Sequence, residues 1–309
     1  MFGRTPLTSL EQVPDALITP TAVCEKFSRL HTGAPSSGEV PVCPELRIFA
    51  LGQMQVQRGE CRVTTADWVY HKGRELLLYL LCHPPRTKEQ IGLALWPDAS
   101  PAQVRSNFRV ILHHLRLALG RPDWIVFEHG YYAFNRALPH WFDVDAFEAN
   151  LCQAQALLAD AYDPHVAAAR PYLEEAVRLY RGEFLEELAT GEWALLRRDD
   201  LQREYLGVLL ALGAVWFAAG CYARAASIYR QVIVHDSYLE FAHRALMRCY
   251  VRLGERCQAL RHYQELCERT RHELGAVPDP ETTALFEELC RGEEPAQGAA
   301  IRGGGCRVW

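Results

Sequence analysis

The sequence predicts a mainly α-helical protein with a small β component, in which a module of sheet, three helices and hairpin precedes a longer helical array. Three observations carry this reading. Residues 100–119 show apolar side chains at the helical spacing of three and four. The second half repeats itself at a period of 34 residues. The charge changes sign between the halves: residues 46–140 hold 12 Lys/Arg against 7 Asp/Glu, whereas residues 141–309 hold 18 against 26. A net charge of −5 over the whole chain therefore hides a basic module followed by an acidic one, the compositional signature of a nucleic-acid contact confined to one part.

The 309 residues suffice for two domains of ordinary size, and 49% hydrophobic composition suffices for packed cores. Residues 1–44 contain six prolines and the linker-like run Gly33–Gly38, so they are expected to form a flexible leader with at most a short helix near residues 22–30. No basic n-region with an apolar h-region is present there.

Alternation of Leu46, Ile48 and Ala50, then of Met54 and Val56, predicts short strands, and Arg58-Gly59 offers a hairpin turn before Cys61. Leu76, Leu77, Leu80 and Leu81 predict a helix over 72–82, which His83-Pro84-Pro85 ends because proline cannot continue it. Thr87 followed three residues later by Gln90 matches a capping box and starts a second helix through Leu95-Trp96, stopped by Pro97. The third begins with Ser100 as N-cap and Pro101 as first helical residue, and Gly120 ends it. Val104, Phe108, Leu112, Leu115 and Leu119 share one side of this helix. Arg105, Arg109, His113 and Arg116 share another, and no Asp or Glu occurs between residues 99 and 122 to neutralise them. Such a face suits a polyanion, although a helix taken alone can carry it merely as solvated surface. Trp124–Phe127 and Tyr131–Phe134 are β-favouring runs around a turn that contains Gly130.

The order of Lys72-Gly73-Arg74, residues 87–91, Ala94-Leu95-Trp96-Pro97, Val104-Arg105-Ser106-Asn107, residues 115–120 and Gly130-Tyr131 resembles an OmpR-type winged helix-turn-helix DNA-binding domain. Residues 142–148, Glu273-Leu274-Gly275, Pro278, Pro280 and Glu281 resemble the bacterial transcriptional activator domain of SARP-type regulators. The two resemblances imply a winged-helix domain at 46–140 and an activator domain at 141–292, with promoter DNA and RNA polymerase as partners. They further imply that the third helix enters the major groove through Arg105, Ser106, Arg109, His113 and Arg116. Lys72, Arg74, Lys88 and His129 are candidates for backbone contact, with ordinary solvated surface as the equal alternative. The family often has an arginine just before the wing turn. Phe127 and Glu128 stand there instead, leaving His129 and Arg136 as the cationic candidates of the wing.

In the acidic half, positions 34 apart pair Leu212 with Leu246, Trp216 with Tyr250, Gly220 with Gly254, Ala225 with Ala259, Tyr229 with Tyr263 and Val232 with Leu266. That is the period of tetratricopeptide helix pairs, which bury their apolar faces by stacking on one another. Helices at about 143–160, 164–181 and 193–203 are expected before these pairs and one at 281–291 after them, with a disordered tail over 293–309 and possible self-association through the repeats. Tyr205–Ala223 carries no formal charge, but its repeat partner at 239–257 carries six, which argues against a membrane span.

Eleven scattered cysteines without a C-x-x-C pair point to a reducing, cytoplasmic location with no metal or disulfide framework. No phosphate-binding loop, His-Glu-x-x-His or Gly-x-Ser-x-Gly motif occurs, so no catalytic residue and no cofactor is expected. These features point to a DNA-binding transcriptional regulator. The rival reading, for which Glu128 speaks, is a tetratricopeptide-type interaction scaffold that has lost DNA binding.

Overall fold

The structure, a computed structural model, describes residues 45–159, 163–187 and 191–292, all within one compact unit that begins at Cys43. The expected leader and tail lie outside the described residues. Among these residues the chain forms seven strands and ten α-helices.

Strands β1 (Leu46–Phe49), β2 (Gln55–Arg58) and β3 (Cys61–Arg62) form an antiparallel meander, turned at Gly59 with φ +56°. Helices α1 (His71–Cys82), α2 (Lys88–Leu95) and α3 (Pro101–Ala118) follow. Both predicted caps form. Thr87 and Gln90 make the capping box of α2, and Ser100 makes one with Gln103 at α3. After a 3-10 turn at Pro122–Trp124, strands β5 (Ile125–Glu128) and β6 (Tyr131–Phe134) make the hairpin, joined on its other edge by β4 (Arg86–Thr87). Residues 129 and 130 have φ of +51° and +88°, the left-handed pair that a tight hairpin turn needs.

A seventh strand escapes the pattern reading. β7 (His140–Phe142) returns to pair in parallel with β1, giving sheet order β3-β2-β1-β7. It leads directly into α4 (Asp143–Leu158), so the helical array is attached to the first sheet by backbone hydrogen bonds. The Asp143 carboxylate, fully buried, accepts from the amides of Ala50 at 2.8 and 2.9 Å and of Leu51 at 3.0 Å, with Arg181 Nη2 at 3.2 Å. Leu51 also bridges to Phe184, and the Leu185 amide donates to the Ala50 carbonyl. Above this seam the Trp193 ring meets Tyr79 edge-on at 5.3 Å.

The array continues with α5 (Asp163–Leu179), α6 (Glu192–Ala218), α7 (Tyr222–His235), α8 (Glu240–Arg252), α9 (Arg256–Leu274) and α10 (Pro280–Arg291). The expected separate helix at 193–203 is instead the first part of the 27-residue α6, because no glycine or proline interrupts the chain between Glu192 and Tyr205. Beyond it the 34-residue repeat is visible bond by bond. Gly220 and Gly254 have φ of +74° and +79°, and in both turns the next amide reaches back to the carbonyl five residues before, Cys221 to Trp216 and Glu255 to Tyr250. Among the described residues no helix is long and apolar enough to cross a membrane, and the described cysteines form no disulfide with one another.

Candidate nucleic-acid interface

The position of α3 is set by its buried side. Phe108, Ile111, Leu112, Leu115 and Ala118 are all buried against the module's core. Phe108 meets Tyr132 of the hairpin edge-on at 4.6 Å, and Tyr132 in turn meets Phe127 at 4.5 Å. Gly92 lets α2 approach closely: a Cβ there would lie 2.4 Å from Val104 Cγ1. Val104, expected in the core, is half-buried at this crossing.

The opposite side is open. Arg105, Ser106, Arg109 and His113 are exposed, and neither arginine pairs with a carboxylate among the described residues. Arg105, Arg109 and His113, four residues apart, lie in one row on the solvent side of a helix whose axis is fixed by the core, with Ser106 beside them. Between them, at 41% exposure, sits Val110, and Leu117 at 60% lies further along. Counting apolar positions assigned Val110 to no face. The spacing from Ser106 to Val110 to His113 would have found it.

Arg116 behaves differently from the other four. It is half-buried, and its Nη2 donates to the Ile125 carbonyl at 2.8 Å, which ties the end of α3 to β5. His114 packs on Tyr70 at 5.1 Å and meets the ring of its neighbour His113 edge-on at 5.4 Å. On α1, Lys72 Nζ pairs with Glu75 at 2.7 Å, and Arg74 Nη2 lies 3.2 Å from His71 Nδ1. Lys88 is half-buried at the start of α2.

At the hairpin tip Phe127, Glu128, His129 and Tyr131 are all exposed, Phe127 by 55%. Arg136 lies past the strand and is held by Asp145 and the Leu81 carbonyl. The tip therefore presents two aromatic rings, one carboxylate and one imidazole. The arrangement is a helix with an exposed, carboxylate-free row of cationic side chains beside a hairpin tip that carries few of them.

Residues 142–290 match the family model of the bacterial transcriptional activator domain. A solved structure, Mycobacterium tuberculosis EmbR in complex with low affinity phosphopeptide, superposes with a TM-score of 0.68 at 20% sequence identity. The match covers 81% of this chain and 66% of that one, so the present chain spans just under two thirds of the length of the structure it resembles. No curated protein matches the sequence.

Proposed function

We propose that this chain is a transcriptional regulator of SARP type that binds duplex DNA through the exposed row of α3, a reading that its activator-domain match and EmbR-like fold support. In this reading residues 46–140 hold the DNA and residues 141–292 contact RNA polymerase or other proteins, with self-association of the repeats as a further use, in the cytoplasm. The observation that carries it is the row Arg105, Ser106, Arg109 and His113, free of carboxylates and set by a buried opposite face. Arginines contribute phosphate neutralisation, and one that pairs with a guanine edge adds about 1–3 kcal/mol of sequence discrimination. Arg116 acts as the strut that keeps the row aligned with the hairpin. Lys72, partly neutralised by Glu75, together with Arg74 and His129, is left to supporting backbone contacts.

The test is DNA affinity for an enriched duplex measured at several salt concentrations. Each neutralised phosphate contributes about 0.9 to the slope of log K against log salt, so Arg105→Ala with Arg109→Ala lowers that slope by as much as about 1.8. Absence of duplex binding at low salt, or an unchanged slope in the double variant, rejects the reading. The second reading, a scaffold without DNA binding, has the exposed Glu128 at the wing in its favour, since a carboxylate beside phosphates repels. Under it the activator domain's contacts persist while both measurements give nothing.

A further inference from the structure

Away from α3, a cavity of about 320 Å³ opens between the β2–β3 hairpin, the loop that precedes α1, and Glu187 beyond the Leu51–Phe184 bridge. Its size is at the small end of the range for small-molecule sites. Met54 and Val56, both buried, give it an apolar floor, and Trp68 a flat wall. Arg62 and Arg74 bring two guanidinium groups to it, and the Arg74 Nε is buried without a hydrogen-bond partner. Two arginines at one opening suit an incoming carboxylate, which takes charge-assisted hydrogen bonds from guanidinium N–H groups. The wall is preformed. Asp67 accepts from the Thr64 amide and hydroxyl at 2.7 and 2.8 Å, holding the loop, and the Trp68 ring lies over Gly73, where an added Cβ would meet Trp68 Cε3 at 3.6 Å. Helix α1 starts with no side-chain cap and no acidic residue in its first turn, and the carboxylate next to Arg74, Glu75, is paired with Lys72. Glu187, also in the lining and exposed, supplies an acceptor.

We propose that this cavity is a binding site for a small planar heteroaromatic carboxylate. The carboxylate pairs with Arg74 and Arg62, the ring lies against Trp68 over the apolar floor, and a ring N–H donates to Glu187. The site draws residues from the first sheet, α1 and the helical array, and none of them lies on α3. Arg74 is shared with the supporting backbone contacts proposed above, but the titration below is made without DNA and so reads this site by itself.

Calorimetric titration of the full chain with indole-3-acetate, and with neutral indole-3-acetamide, tests it. Saturable binding of the acid is expected, with the amide weaker by at least about tenfold. Arg74→Met is expected to weaken the acid by at least about tenfold while circular dichroism stays unchanged. Should Arg74→Met fold poorly, Arg62→Gln on the exposed strand replaces it and gives the same loss. No saturable binding of the acid, equal binding of acid and amide, or unchanged affinity in the arginine variant that folds overturns the proposal.

Discussion

Replacing Asp143 by alanine removes the one side chain that serves two backbone amides of the first sheet from the start of the helical array. The Ala50 and Leu51 amides are buried, and their hydrogen bonds to Asp143 run 2.8 to 3.0 Å. Without the carboxylate both amides have no acceptor and no path to water, and each orphaned group costs about 1–3 kcal/mol. Arg181, 41% exposed, turns to solvent and adds little. The sum is a loss of about 2–6 kcal/mol, a large part of the usual stability of a domain. Asp143→Asn keeps one acceptor oxygen and is expected to fall between alanine and wild type. Urea denaturation of the full chain, followed by tryptophan fluorescence, reads both. Alanine costing under about 1 kcal/mol, or asparagine costing as much as alanine, refutes the argument that amide satisfaction holds this seam together.

Two further predictions concern the core. Gly92→Ala brings a Cβ to 2.4 Å from Val104 Cγ1, so α2 and α3 must separate; an overpacking loss of about 1–3 kcal/mol is expected, and Val104→Ala in the same chain is expected to restore most of it in thermal melts. The His243–His262 pair sets an acid limit on the array. Since the Ser237 carbonyl can only accept, His243 donates to it from Nε2 and takes a hydrogen bond from His262 at Nδ1, so both rings are neutral in the fold. Burial, and then the neighbouring His243, pushes the His262 pKa down from 6.5 to about 4. A depressed folded-state pKa means that the unfolded chain takes up the proton first. The pair's stabilisation is therefore whole above pH 6.5 and is lost as pH falls from there to about 4, amounting to at most about 3 kcal/mol. Melting temperature against pH should drop over that window in the wild type and drop less in His262→Leu; parallel curves contradict the assignment.

Local signals in the sequence located most elements, because each depended on neighbours in the chain. Thr87 with Gln90 set one helix start through bonds spanning three residues, Ser100 before Pro101 marked the next, where Ser100 bonds Gln103, and Gly220 and Gly254 set repeat turns through their own backbone freedom. What stayed hidden depends on distant partners. β7 has only three residues and no alternation of its own, and its strand identity comes from β1 ninety-four positions earlier at Leu46↔His140. Asp143 reads as an ordinary acidic helix start until Ala50 and Leu51 are brought to it. At the candidate interface, spacing was enough to group Arg105, Arg109 and His113. It grouped Arg116 with them as well, because periodicity does not reveal a carbonyl from a neighbouring strand that captures one member of the row.

The seam at β7 also bears on how the two parts of the molecule act together. A helical array joined to a winged-helix module by a free linker would place its partners anywhere within reach of that linker, and its contribution would depend on linker length. Here the connection from Phe134 to β7 is short, β7 is hydrogen-bonded to β1, and Asp143 locks the first residue of α4 onto the same sheet. The Leu51–Phe184 bridge fastens a second point of the array more than forty residues later. Two attachments separated along the array restrain rotation as well as position. Under the proposed function, the repeat surface is then presented at a fixed distance and angle from α3, and a partner bound there is oriented by where α3 lies in the groove. Weakening the seam with Asp143→Asn is accordingly expected to leave the salt slope of DNA binding unchanged, because α3 and its cations are untouched, while reducing promoter activation in a reporter assay. Equal losses in both would place the effect in α3 itself and contradict a role for rigid presentation.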